Sequence, residues 1–363
     1  MPPQPRPGIL DTEPYQGGEK TLPGVQRVAR LASNENPFGA SPAAADALAN
    51  LAESGLHRYP DGHSAALRRA IGEVHELDPE RIVCGAGSDE LIALLARAYA
   101  GPGDRVLYSR HGFLMYPIAA TTAGAKPVAA PERELTTDVD AILARVTPET
   151  RAVFLANPNN PTGSYLDGDE LARLHAGLPE DVLLVIDAAY AEYATAADYS
   201  DGGELAARHP NVVVTRTFSK IYGIAGLRLG WAYGAPSVID VLNRVRMPFN
   251  VSTPAQLAGE AAVRDREFVR RSVAHTETWR AWFREQAHAA GIAALPSQGN
   301  YVLVRFADRA GAERALATFK AHGVLVRQMG KYGLADCLRV TIGGETEMRM
   351  AAGALHAFAA EAA

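Results

Sequence analysis

The sequence predicts an α/β protein of two unequal units, a large α/β part followed by a smaller α+β part. Three observations predict it. From Arg81 onward, short apolar β-branched runs alternate with longer helical patterns. Turn formers and acids cluster where those runs end, the place where open α/β sheets carry ligand groups. At 363 residues the chain is too long for one ordinary core.

Bulk properties narrow the class. Apolar content of 47% and charged content of 21% are those of a soluble globular protein. Net charge is −5 with no basic block, which argues against a nucleic-acid partner. The ten histidines lack metal-ligand spacing, so no metal is expected. Cys84 and Cys337 sit in apolar runs and read as buried thiols of a cytoplasmic protein. No apolar run approaches a membrane span, and the Pro-rich start lacks a signal-peptide core.

Residues 1–30 read as an arm, in which Tyr15 stands beside a Gly-Gly turn as a packing anchor. Leu31-Ala-Ser-Asn-Glu-Asn-Pro-Phe-Gly39 is dense in turn formers. Ser41-Pro42 then opens a helix running to about Ser54. Tyr59 lies in an exposed turn, and Ser64 is expected to cap the next helix. Arg81–Cys84 is a strand, and Gly85-Ala-Gly-Ser-Asp-Glu90 opens a helix whose free N–H groups suit an anion, or form an ordinary capped start. After strand Arg105–Tyr108, Phe113 either stacks on a planar ring or fills core.

Strand Ala152–Leu155 runs into Asn157-Pro-Asn-Asn-Pro-Thr-Gly163, a rigid turn from which Asn160 could point its amide at a ligand oxygen. The apolar strand Asp181–Ile186 ends at Asp187, a ligand group or a cap. Val212–Val214 leads into Thr215-Arg-Thr-Phe-Ser-Lys-Ile-Tyr-Gly-Ile-Ala-Gly-Leu-Arg-Leu-Gly230. Here Lys220 could bond an aldehyde while Ser219 and Arg228 hold a phosphate, the parts of a pyridoxal phosphate site. A glycine-rich loop with surface cations fits the same stretch. Further on, a long helical pattern from Pro254 to Ala289 links to a unit of strands Tyr301–Phe306, Val324–Arg327 and Cys337–Ile342. Arg339, inside an apolar strand, is costly to bury without a partner and reads as a carboxylate-binding residue.

In this order the motifs resemble the fold-type I pyridoxal phosphate enzymes, the class I/II aminotransferases, over nearly the whole chain. The carriers are Asn157–Gly163, Asp187-Ala-Ala-Tyr190, Thr217-Phe-Ser-Lys220 and Gly226-Leu-Arg-Leu-Gly230. Glu13–Gly18, Leu31–Gly39, Arg58-Tyr-Pro-Asp61, Gly87-Ser-Asp-Glu90, Val326-Arg327 and Cys337–Gly343 are most similar to the histidinol-phosphate aminotransferase family. The resemblance implies a large mixed-sheet α/β/α domain at 31–264, a small domain at 265–363 and an arm at 1–30, with residues near 31–50 able to pack against the small domain. It implies that Lys220 is the catalytic Schiff-base lysine. It also implies that Asp187 pairs with the ring nitrogen of pyridoxal 5'-phosphate, Asn160 and Tyr190 hold its phenolic oxygen, and Phe113 stacks on its ring. Ser219, Arg228, Gly87, Ser88, Asp89 and, from a second subunit of a homodimer, Tyr59 would hold the phosphate end. Tyr15, Asn36, Arg327 and Arg339 would bind histidinol phosphate and glutamate or 2-oxoglutarate. An aromatic amino-acid aminotransferase and a phosphothreonine decarboxylase share this outline. Ala188 departs from the family's usual acid, which puts the local bonding around Asp187 in question.

Overall fold

Two sheets carry the chain, and the candidate site residues gather where they face each other. The computed structural model describes residues 3–14, 17–19, 21–23, 27–53 and 57–361. The larger sheet has seven strands in the order Ile82–Gly85, Gly230–Gly234, Val212–Thr217, Leu183–Asp187, Thr150–Ala156, Arg105–Ser109 and Lys126–Ala130. Only Gly230–Gly234 runs antiparallel to its neighbours. Its strands read as unbroken apolar runs because both faces are covered. Leu184, Ile186, Val212 and Val214 enter one core, while Leu183, Val185 and Val213 enter the core on the other face.

The smaller sheet has five strands in the order Ala29–Leu31, Val324–Gln328, Cys337–Thr341, Tyr301–Arg305 and Ala293–Ala294. Ala29–Leu31 pairs in parallel with Val324–Val326, so the end of the expected arm is a strand of this sheet. Val302, Val304, Leu338 and Val340 pack on Phe283, Phe319 and Leu355 of the covering helices. By strand alternation Arg339, between Leu338 and Val340, turns to the opposite face, toward the larger sheet.

The long helical pattern divides into Thr253–Arg264 and Arg266–Ala289. Asp265 leaves the helical conformation at the break and caps the second helix by accepting the Phe268 N–H at 3.0 Å. Its other carboxylate oxygen accepts the Ser41 hydroxyl at 2.6 Å. Ser64 makes no side-chain cap, whereas Asp61 accepts the N–H groups of His63 and Ala65. Ala188 is fully buried in the apolar core, and its N–H is held by Thr215 O at 2.9 Å.

The loop after Lys220 lies against the turn at Gly39. Gly223 has φ +69, and a Cβ there would stand 1.8 Å from the Gly39 carbonyl oxygen. No L side chain fits without moving one loop or the other. Gly223→Ala should therefore destabilise the protein by about 2 kcal/mol or more. Urea unfolding measures this, and an unchanged midpoint would contradict the packing.

Candidate active site

The cleft forms at the carboxyl ends of the parallel strands, roofed by the smaller sheet. It encloses roughly 280 Å³. Asp187, the last residue of its strand, is 5% exposed. Its carboxylate accepts the Tyr116 hydroxyl at 2.8 Å and the Thr215 hydroxyl at 3.3 Å. Both partners are neutral, so burial dominates and pushes the Asp187 carboxyl up to about 6. A buried acid held by two hydroxyls and the Ala189 N–H, all of them neutral, could seat a cationic ring nitrogen.

Lys220 reaches the cleft from the loop after Thr217. Its Nζ donates to the Ser33 carbonyl at 3.1 Å and lies 5.8 Å from the centre of the Tyr190 ring. Tyr190 accepts a hydrogen bond from Asn34 Nδ2 at 2.8 Å. Burial raises its phenol, against the opposing pull of Arg339 and the Asn34 bond. Asn160 stands between two cis Asn-Pro bonds, Asn157-Pro158 and Asn160-Pro161. The turn presses so closely on Ser297 that a Cβ on Gly163 would meet its Oγ at 2.4 Å. Phe113 lines the cleft, edge-on to Tyr116 at 5.9 Å.

One end of the cleft is built for an anion. Arg228 donates to Ser219 Oγ at 3.2 Å and to Asp89 Oδ2 at 3.1 Å. Helix Ser88–Tyr99 begins here, and its first N–H groups have no partner inside the helix. Gly87 contributes differently from expectation. Its N–H is already given to Gly85 O at 2.8 Å, and the N–H groups that could meet an anion at the helix start are those of Ser88 and Asp89. What Gly87 provides is room, since a Cβ there would meet Arg228 Nη2 at 2.7 Å.

The other end carries two arginines. Arg327 and Arg339 occupy directly paired positions on neighbouring strands and line the same cleft. Arg339 is 6% exposed, donates to Asn160 Oδ1 and to Ala32 O, and has no acceptor for its Nε–H. Its partners carry no formal charge, so a ligand carboxylate would supply the missing one.

Asn36 is not brought into the cleft. Its Nδ2 bonds Ile221 O at 2.8 Å and Ser272 Oγ at 3.1 Å, and its Oδ1 caps the Phe38 N–H, so its amide is spent on holding the turn. Asn34, two residues earlier, lines the cleft in its place. Tyr59 does not reach the cleft of its own chain: it is 82% exposed and stacks on Phe249 at 4.7 Å. Tyr15 lies outside the described residues. Ser33, Asn34 and Tyr332 line the cleft, and Tyr116 and Thr215 hold Asp187; the sequence gives these five no role of their own, although each lies inside or near a motif. No cluster of His, Cys, Asp and Glu suited to a metal occurs among the described residues.

A lysine amine, a buried carboxylate and an anion pocket arranged in one cleft describe an aminotransferase site. The family model for aminotransferase class I and II matches residues 26–355, and the chain belongs to that family. Within it, the chain is 61% identical to the histidinol-phosphate aminotransferase of Rhodospirillum centenum over 97% of this chain and 98% of that one. It is 54% identical to the enzyme of the same name from Paramagnetospirillum magneticum, covering 98% of each. Among solved structures, histidinol-phosphate aminotransferase from Sinorhizobium meliloti in complex with pyridoxal-5'-phosphate superposes with a TM-score of 0.90 at 28% identity, covering 98% of this chain and 97% of that one.

The raised Asp187 carboxyl makes stability depend on pH in the cofactor-free protein. The folded state holds the proton more tightly than the unfolded chain, so this contribution is complete below about 4 and lost as pH rises through about 6. Asp187→Asn removes the buried charge. At pH 8 the variant should gain up to about 3 kcal/mol over the parent, shrinking toward pH 4. Thermal melts of cofactor-free protein across this range test it, and a pH-independent difference would refute it.

Proposed function

We propose that this chain is a histidinol-phosphate aminotransferase of histidine biosynthesis, using pyridoxal 5'-phosphate to move an amino group between histidinol phosphate and 2-oxoglutarate. The observation that carries the reading is the pair of arginines in one cleft with a single lysine amine and a buried acid. Both partners of such a reaction bring anions to the end of the cleft away from Arg228.

The cofactor fits the residues present. Asp187 would face its ring nitrogen, Asn160 and Tyr190 its phenolic oxygen, and Phe113 its ring. Ser219, Arg228 and the Ser88 and Asp89 N–H groups would hold its phosphate. When bound, the cofactor supplies an aldehyde that takes up the amino group and a ring that draws electrons from the donor carbon. Lys220 Nζ, released from Ser33 O, would take the proton from that carbon and pass it to the carbon that carried the aldehyde, and would carry a proton the opposite way in the other half. Arg339 grips the α-carboxylate of glutamate through its bidentate fork. Arg327, with Tyr15, takes the phosphate of histidinol phosphate or the distal carboxylate of glutamate. The two anions share one pocket in alternate halves of a ping-pong cycle.

Histidinol phosphate, phenylalanine and tyrosine offered separately with 2-oxoglutarate distinguish the donors. The phosphate-bearing donor should lead by about tenfold or more in kcat/KM, because one charged hydrogen bond contributes roughly 1.5–3 kcal/mol. Lys220→Ala should transfer nothing while remaining folded. A preference for phenylalanine or tyrosine would overturn the substrate assignment.

The working unit is a homodimer in the cytoplasm. Tyr59, Met247 and Phe249 are among the large apolar side chains left exposed, and Tyr59 and Phe249 stack on each other. Tyr59 would thereby reach the partner's phosphate pocket. No helix among the described residues is long and apolar enough to cross a membrane. Sedimentation equilibrium should give twice the chain mass, and Phe249→Glu should shift it toward monomer. A fully active monomer would exclude the arrangement.

A further inference from the structure

We propose that Asn34 is a positioning residue for Tyr190, fixing the direction in which the phenol presents its proton to the bound cofactor. The inference rests on the cofactor reading above and is independent of the amino donor. Asn34 is 1% exposed and holds left-handed backbone at φ 55, a conformation asparagine tolerates better than most residues.

Thr341 decides which way the Asn34 amide points. Its Oγ1 accepts the Asn34 backbone N–H at 2.9 Å and gives its own proton to Asn34 Oδ1 at 3.0 Å. With Oδ1 turned to Thr341, Nδ2 must face Tyr190, where it donates to Oη at 2.8 Å. The flipped amide would leave the Thr341 proton without its acceptor. Tyr190 Oη is thus occupied as an acceptor, and its proton is directed away from Asn34, toward the cleft both residues line. Donation into Oη also polarises the O–H bond and strengthens it as a donor.

The ordering has a second consequence. Thr341 lies two positions beyond Arg339 on the same strand, so one amide links the phenol to the strand that carries the arginine. The neighbouring carbonyls of Ala32 and Ser33 accept from Arg339 and Lys220. A shift of this strand would be felt at Tyr190 through Asn34.

The test reads the pH midpoint of the visible absorbance of cofactor-loaded protein, with no donor present. A phenol donating to the cofactor's phenolic oxygen favours its ionised form, so losing that bond raises the midpoint. Tyr190→Phe should raise it, and Asn34→Ala should raise it by roughly half to one pH unit. Adding Asn34→Ala to Tyr190→Phe should move it no further. An unshifted midpoint in Asn34→Ala, or shifts that simply add, would overturn the proposal.

Asn34→Asp guards against a folding defect. It keeps the side-chain shape, the tolerance for left-handed backbone and the acceptor for Thr341, and it removes the donor. Most of its midpoint shift should vanish in the Tyr190→Phe background. A shift that persists in full there is a direct charge effect and counts against Asn34 acting through Tyr190. In cofactor-free protein, the Tm losses of Asn34→Ala and Tyr190→Phe should combine to less than their sum, and full additivity would reject the bond. Absence of any visible cofactor band in the parent protein would defeat the functional reading, while this thermal cycle would still decide the bond.

Discussion

Three consecutive residues hold the cleft together. Ala32 O accepts from Arg339, Ser33 O accepts from Lys220, and Asn34 donates to Tyr190. The segment follows directly from the strand Ala29–Leu31 of the smaller sheet. It is pinned again by Asn300 Nδ2, which donates to Asn34 O at 3.0 Å. A lysine, a tyrosine and an arginine far apart in sequence are thereby measured against one stretch of backbone.

A second constraint works from beneath the larger sheet. Arg216 lies between Thr215 and Thr217 and so points to the other face of its strand. It is 4% exposed and bonds Glu192 at 2.8 Å and Asp201 at 2.6 Å. Glu192 follows Tyr190 by two residues, so the ion pair fastens the segment after Asp187 to the strand that leads to Lys220. Removing Arg216 would leave the buried Glu192 carboxylate without its cation, a change that typically costs about 3–5 kcal/mol. His75 lies within this region, and burial, followed by the Arg216 charge, lowers it to about 3, so it stays neutral at physiological pH. The acid missing at Ala188 is not replaced on the cofactor side; that position belongs to the apolar core, and the acids that organise the region act from below.

Much of this was legible because strand ends and turn chemistry are local. Asp187 at the end of its strand, the double Asn-Pro turn and the Ser-Lys loop all stand where their sequence context placed them. The exceptions follow from geometry that no spacing encodes. Asn34 and Asn36 share one turn-forming stretch, but the left-handed backbone at Asn34 sends their amides to different places. The glycine before Ser88 looked like a phosphate donor, whereas a γ-type bond to Gly85 consumes its N–H. Ser64 has the composition of a cap but makes no side-chain cap bond; Asp61, three residues earlier, holds the His63 and Ala65 N–H groups at this helix start. Tyr116 carries no local signal; its bond to Asp187 joins a helix residue to a strand end 71 positions away.

The register of the smaller sheet adds a last argument about ligand charge. Arg327 and Arg339 are directly opposed on antiparallel strands. Like charges at such positions repel and destabilise the pair. Arg339 is also buried among neutral partners, with one donor unused. A sheet serving only its own stability would place an apolar residue there, as Leu303 opposite it and Cys337 two positions earlier do on the same face. Both side chains line the one cleft that also holds Lys220 and Asp187.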